Sequence, residues 1–192
     1  IFFRSAMALQ LPSELWDIIA DSVQSDSLAH VCRRLWDLLG SSRYVKLNCD
    51  SHCVTQRVRP LARNVRALQV KVKGPWDPTG AIDALQHAPF LHTLTLSNMA
   101  ADVTVGSARA MAAIRTAPSL HTLTLNLGRN ALGTDGAGAL AALKDAGGLR
   151  TLSLDLWGCA VGDSGAAALA QLKDAPALRT LTLELWGNAV GN

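Results

Sequence analysis

The sequence predicts an α/β solenoid: stacked strand–turn–helix units, with parallel strands on the concave side and helices on the convex side, preceded by a small all-α segment. Three observations lead there. First, Leu120-His121-Thr122-Leu123-Thr124-Leu125 returns as Leu149-Arg150-Thr151-Leu152-Ser153-Leu154 and again as Leu178-Arg179-Thr180-Leu181-Thr182-Leu183, at a period of 29 residues that Leu91 extends upstream. A fixed period in this range marks a stacked array. Second, Leu123, Leu125 and Leu127 alternate with Thr124 and Asn126, the period of two that turns one strand face inward. Third, the segments between strands place leucines three apart, as in Leu140 and Leu143 or Leu169 and Leu172, on one helix face.

Each unit is read in order. Gly133 and Gly162 permit the turn after the strand. Thr134 and Asp163 then stand where helix N-caps are expected. The helices are expected over Ala137–Lys144 and Ala166–Lys173, with alanines keeping them slim enough to stack. Gly147-Gly148 and Pro176 stop them. Asn130 and Asn188 are expected to point inward and bond backbone groups at the strand-to-helix bend, since a buried amide without partners is costly. Cys159 takes that place in the unit between them.

The chain has 192 residues, 49% apolar, with a net charge of +3, which is ample for a packed core. It opens Ile1-Phe2-Phe3-Arg4-Ser5-Ala6, and Met7 is a plausible start. Arg4 breaks that run too early for a signal peptide. Residues 7–48 form a separate helical unit. Its first helix begins at Leu11-Pro12-Ser13-Glu14-Leu15-Trp16, with proline near the first turn and an apolar stripe through Leu15, Ile18 and Ile19. Its second runs from about Leu28 to Leu39 and ends at Gly40. So small a unit is marginal without a partner or an attached domain. Tyr44-Val45-Lys46-Leu47-Asn48 alternates as a first strand, and residues 49–60 read as a loop linking the helical unit to an array over residues 61–192. Val65-x-x-Leu68-x-Val70-x-Val72 is the strand of a degenerate unit, 26 rather than 29 residues before its successor. The last unit stops at Asn192 where its helix is expected to begin, so the array is expected to continue.

The array resembles the leucine-rich repeat family, of the helix-bearing kind found in ribonuclease inhibitor, through Leu125-x-Leu127-x-x-Asn130-x-Leu132, Leu154-x-Leu156-x-x-Cys159-x-Val161 and Leu183-x-Leu185-x-x-Asn188-x-Val190. The N-terminal unit resembles an F-box, through Leu11-Pro12-x-Glu14-Leu15-x-x-Ile18, Asp26-x-Leu28 and Val31-Cys32-Arg33-Arg34-Leu35-Trp36. The second resemblance implies docking on the Skp-family adaptor of cullin-type ubiquitin ligases, through Leu11, Pro12, Leu15, Ile18, Leu28 and Trp36. Together the two imply a substrate receptor that works in the cytoplasm or nucleus, is not an enzyme and needs no cofactor. The bland alternative is a leucine-rich-repeat scaffold or inhibitor whose N-terminal helices cap the array.

Other functions find less support. Cys49, His52 and Cys53 cluster, but a zinc site needs a fourth ligand, and no second Cys/His pair follows at finger spacing. An ordinary loop is the simpler reading, and no metal is expected. An enzyme using the Cys49/His52 region is the weakest of the three functional hypotheses. His92 and His121, followed by Arg150 and Arg179, share one unit position and read as a solvated strand edge. The basic residues are scattered, so no nucleic-acid partner is expected, and no stretch is apolar and long enough to span a bilayer.

Function is therefore expected on a surface. Alternation sends the non-leucine positions to the concave side as columns: Thr124, Ser153, Thr182; then Asn126, Asp155, Glu184; then Gly128, Trp157, Trp186. Asn126, Asp155, Trp157, Glu184 and Trp186 are the candidate residues for an unidentified protein target, since tryptophan is enriched among binding hot spots. The competing role for the tryptophans is structural: to stack on each other or to shield the core at the strand edge.

Overall fold

The computed structural model describes residues 44–191. The described residues form one compact unit. The helical unit expected over residues 7–48 lies outside the described residues as far as residue 43, and its expected end is corrected, because residues 44–48 belong to the first strand of the sheet. Six strands follow one another in a single sheet: β1 (Tyr44–Asp50), β2 (Ala67–Lys73), β3 (Thr93–Ser97), β4 (Thr122–Asn126), β5 (Thr151–Asp155) and β6 (Thr180–Glu184). They pair in chain order, and every pairing is parallel. Helices α1 (Val54–Leu61), α2 (Thr79–Gln86), α3 (Val105–Ala112), α4 (Gly133–Ala141) and α5 (Gly162–Ala170) alternate with them. This repeated α/β order is compatible with an α/β solenoid.

The sequence pattern explains the layering. In β3, β4 and β5 the leucines are buried and the threonines, serines and acidic or amide residues between them stay partly accessible. Leu140, Leu143, Leu169 and Leu172 from the helices are buried with them. One sheet face is therefore the core, and the other is open. The register fixes the unit length. Leu123, Leu152 and Leu181 stand side by side at 29-residue steps, Leu68 pairs with Leu94 at 26, and Val45 with Leu68 at 23. The early units shorten outside the strands, so the sheet stays in phase.

Three further expectations are corrected. Residues 49–60 are not a loop: Cys49 and Asp50 finish β1, Ser51–Cys53 make a 3₁₀ turn, and Val54–Leu61 form α1. Val54 and Val58 recur one helical turn apart and are fully buried, which outweighs the polar run Thr55-Gln56-Arg57 between them. Second, α4 and α5 begin at Gly133 and Gly162, four residues earlier than expected, and 3₁₀ turns (Ala142–Asp145, Gln171–Asp174) complete them. Third, Thr134 and Asp163 do not cap their helices. The Thr134 hydroxyl donates to the Val161 carbonyl of the next unit at 3.1 Å, and Asp163 accepts the Gly191 N–H at 2.6 Å. Gly133 and Gly162 enter the helices at φ 63 and 66, a left-handed backbone that removes the usual cap geometry. In α3, where Thr104 replaces glycine, its hydroxyl does cap, accepting the Ser107 N–H at 3.2 Å.

The bends after the strands are tied by side-chain amides. Asn130 Oδ1 accepts the N–H groups of Ala101 and Val103, while its Nδ2 donates to the carbonyls of Asn98 and Leu127. Asn188, two units on, repeats all four bonds with Cys159, Val161, Leu156 and Leu185. Between them the Cys159 thiol donates to the Leu127 carbonyl at 3.2 Å, keeping the bond to the preceding unit. Burial pushes that thiol's pKa up, against the opposing pull of the Asn130 N–H, so it remains a donor. Asn98 sits elsewhere in its unit, at the place of Leu127, and donates to the carbonyls of Val72 and Gly74.

Leu154 is fully buried in the fifth strand. Its replacement by alanine should destabilise the chain by about 2–5 kcal/mol. Denaturant melting checks this, and a loss below about 0.5 kcal/mol would place Leu154 outside the core.

Candidate functional site

The open face is a grid of columns set by the strand register. The outermost column runs Tyr44, Ala67, Thr93, Thr122, Thr151, Thr180, and the next Lys46, Gln69, Thr95, Thr124, Ser153, Thr182. The third runs Asn48, Lys71, Ser97, Asn126, Asp155, Glu184. Asn126, Asp155 and Glu184 are thus direct neighbours, as expected. Asn126 Nδ2 donates to the Ser97 hydroxyl at 2.9 Å, and Asp155 Oδ1 accepts the Trp157 N–H at 3.2 Å.

Beside the acidic column lie the tryptophans. Trp157 and Trp186 stack with ring centroids 5.5 Å apart and planes 23° from parallel. Mutual stacking, the structural role weighed from sequence, is therefore present. It leaves Trp157 half-buried and Trp186, beyond the last strand, 73% exposed. The Arg129 guanidinium carbon lies 4.4 Å from the Trp157 ring centroid on top of this stack. Arg129 holds φ 61, a left-handed backbone, whereas Gly158 and Gly187 occupy the same place in the next two units at φ 61 and 70. Glycine adopts that conformation freely, and an L-residue there loses roughly 1–2 kcal/mol. Gly187 also sits close to the stack, since a Cβ there would lie 3.2 Å from the Trp157 indole nitrogen.

Sequence reasoning missed Met99 and Arg129 in this region. Met99 is 46% exposed and precedes Gly128 by one unit length, so the column reads Met99, Gly128, Trp157, Trp186. The 29-residue step could have found it. Arg129 could not be found that way, because the same place holds Ala100 in the unit before and glycines in the two units after. The expected adaptor-binding residues Leu11, Pro12, Leu15, Ile18, Leu28 and Trp36 lie outside the described residues.

The opposite margin of the sheet, where the strands begin, is cationic. His92, His121, Arg150 and Arg179 follow Arg66 there, each N–H bonded to the carbonyl of the residue before it in the column. The rings of His92 and His121 stack at 5.3 Å. Each Nδ1 meets a carbonyl of its own turn, Phe90 or Ser119, so Nδ1 carries the proton. Among the described residues, no three His, Cys, Asp or Glu side chains converge as a metal-binding group. Cys49 is buried, and its thiol is pushed up to about 11, first by burial and then by the neighbouring Cys53, with Arg57 opposing. A thiol so raised is a poor nucleophile near neutral pH. No helix among the described residues is long and apolar enough to cross a membrane.

The exposed stack should be dispensable for folding. Trp186→Ala removes one aromatic pair, worth about 0.5–1.5 kcal/mol. Arg129→Gly trades a cation–π contact of about 0.5–1 kcal/mol for relief of left-handed strain, so its stability should be unchanged or higher. Thermal or denaturant melting of both variants checks this. A loss above about 3 kcal/mol for Trp186→Ala would mark the indole as core.

A scan against protein-family models matches none, and a search of curated proteins finds no similar sequence.

Proposed function

We propose that this chain is a leucine-rich-repeat substrate receptor of a Skp–cullin–F-box ubiquitin ligase. In this reading residues 7–48 are the F-box and dock a Skp-family adaptor through Leu11, Pro12, Leu15, Ile18, Leu28 and Trp36. The open strand face is the concave surface and binds the target through Asn126, Asp155, Trp157, Glu184 and Trp186. The chain does no chemistry itself. It holds the target near a ubiquitin-charged enzyme and so raises the effective concentration of the target's lysines. Its place of work is the cytoplasm or nucleus, where adaptor and ligase are found.

The observation that carries the reading is the order of the two segments: an F-box-like stretch, Leu11-Pro12-x-Glu14-Leu15, stands ahead of a repeat array. The character of the open face supports it. Repeat arrays bind through such faces, and an exposed indole stack beside carboxylates suits a target with an apolar group next to basic residues. Binding of that kind weakens with salt.

The adaptor assay tests it. The full chain and a Leu11→Ala, Pro12→Ala variant are co-expressed with a Skp-family adaptor and purified. The variant should lose the adaptor while its repeats melt as before. Equal adaptor recovery with both chains contradicts the proposal and favours a repeat scaffold with an N-terminal helical cap.

A further inference from the structure

The open face has a second feature, at the end away from the tryptophans. Lys46 on β1 and Lys71 and Lys73 on β2 are all exposed, and they line one groove with Asn48, Gln69 and Ser97. Lys71 and Lys73 are two residues apart on one strand, about 7 Å, and Lys46, opposite Gln69 on the neighbouring strand, lies diagonally across from Lys71 at about 8 Å. The register sets Asp50 opposite Lys73, yet among the described residues no carboxylate reaches ion-pair distance of any of the three. Like charges so close repel, and an anion relieves them.

Two further polar groups of the groove, Gln69 and Ser97, keep donors free. The Tyr44 hydroxyl donates to Gln69 Oε1, which leaves the Gln69 amide N–H groups to donate outward. Asn126 donates to the Ser97 oxygen, which leaves the Ser97 hydroxyl proton for another acceptor. Met99 forms the groove's far margin and starts the column that continues through Gly128 to Trp157 and Trp186. The face is therefore polarised: three lysines against one carboxylate, Asp50, on β1 and β2, hydroxyls across β3 and β4, and Asp155 and Glu184 at the ends of β5 and β6 with the indole stack just beyond them.

We propose that the Lys46/Lys71/Lys73 groove binds an acidic stretch of the target polypeptide, whose adjoining residues cross the sheet to the Trp157–Trp186 stack. This rests on the reading of the open face as the target surface. A nucleic acid crossing the same strands would bring phosphates onto Asp155 and Glu184, so polypeptide suits the polarity and a polyanion of uniform charge does not. From β2 to β5 is three strand spacings, about 14 Å, which roughly four extended residues span. The target segment thus carries clustered Asp or Glu side chains, a spacer of about four residues, and then an apolar side chain with a basic neighbour.

Fluorescence anisotropy with the full chain tests this, using three labelled probes: a hexaglutamate peptide, hexaglutamate extended by four glycines and a tryptophan, and a short oligothymidylate. Hexaglutamate should bind, and a Lys46→Gln, Lys71→Gln, Lys73→Gln variant with unchanged melting should bind it at least tenfold more weakly. The extended peptide should bind more tightly than hexaglutamate, and a Trp157→Ala, Trp186→Ala variant should lose that gain while keeping hexaglutamate affinity. Absence of hexaglutamate binding, equal binding by the lysine variant, or oligothymidylate binding as tight as hexaglutamate overturns the proposal. Adaptor co-purification by the lysine variant is a separate readout, so failure here is distinguishable from failure of the adaptor assignment.

Discussion

A strand that turns into a helix leaves backbone groups at the bend that neither element can satisfy. In a stack of such units the bends are buried, and the cost of an orphaned group cannot be passed to water. At two of its bends this chain solves the problem with a single side-chain amide. Asn130 and Asn188 each accept two N–H groups from the preceding unit and donate to one carbonyl there and one in their own. The bond pattern is the same two units apart, residue for residue. Each unit is thus completed by its successor, and the coupling is between nearest neighbours. Cys159 is the exception that shows the rule: its thiol keeps the donor bond to Leu127 but has no carbonyl oxygen with which to take two N–H groups.

That coupling also builds the open face. Because each unit is locked to the next in one register, residues 29 apart become neighbours about 4.8 Å apart, and single substitutions become columns. The core side is leucine in β3 to β6 and mixes valine with leucine in β1 and β2. The open side varies freely, from lysine through hydroxyls to carboxylates. Arg129 illustrates the freedom: it stands in a left-handed backbone that Ala100 holds in the unit before and glycine in the two units after, and it lays its guanidinium on Trp157. Stability alone gives no reason for arginine there.

What the sequence revealed, and what it hid, follows from the same physics. The period, the parallel strands, the inward asparagines and the adjacency of Asn126, Asp155 and Glu184 were all legible, because they depend on spacing alone. Helix α1 was not, since only Val54 and Val58 signal it within a polar run next to Pro60. The helix starts were misplaced because glycine at positive φ replaces a side-chain cap, and a positive φ leaves no mark on composition. The lysine groove was hidden too. It is assembled from Lys46 on one strand and Lys71 and Lys73 on the next, at unit lengths of 23 and 26 that break the regular count.

The dependence of each unit on its successor's amide is the centre of this account, and native-state hydrogen exchange tests it. In an Asn130→Ala chain the N–H groups of Ala101 and Val103 lose their shared acceptor, and a buried N–H left unpaired costs about 1–3 kcal/mol. Exchange of these two amides should accelerate, with a global loss of at least about 3 kcal/mol, while a Cys159→Asn chain should gain stability by supplying the missing acceptor. Unchanged protection of Ala101 and Val103 in the Asn130→Ala chain, together with unchanged melting, would mean that leucine packing alone holds the units together.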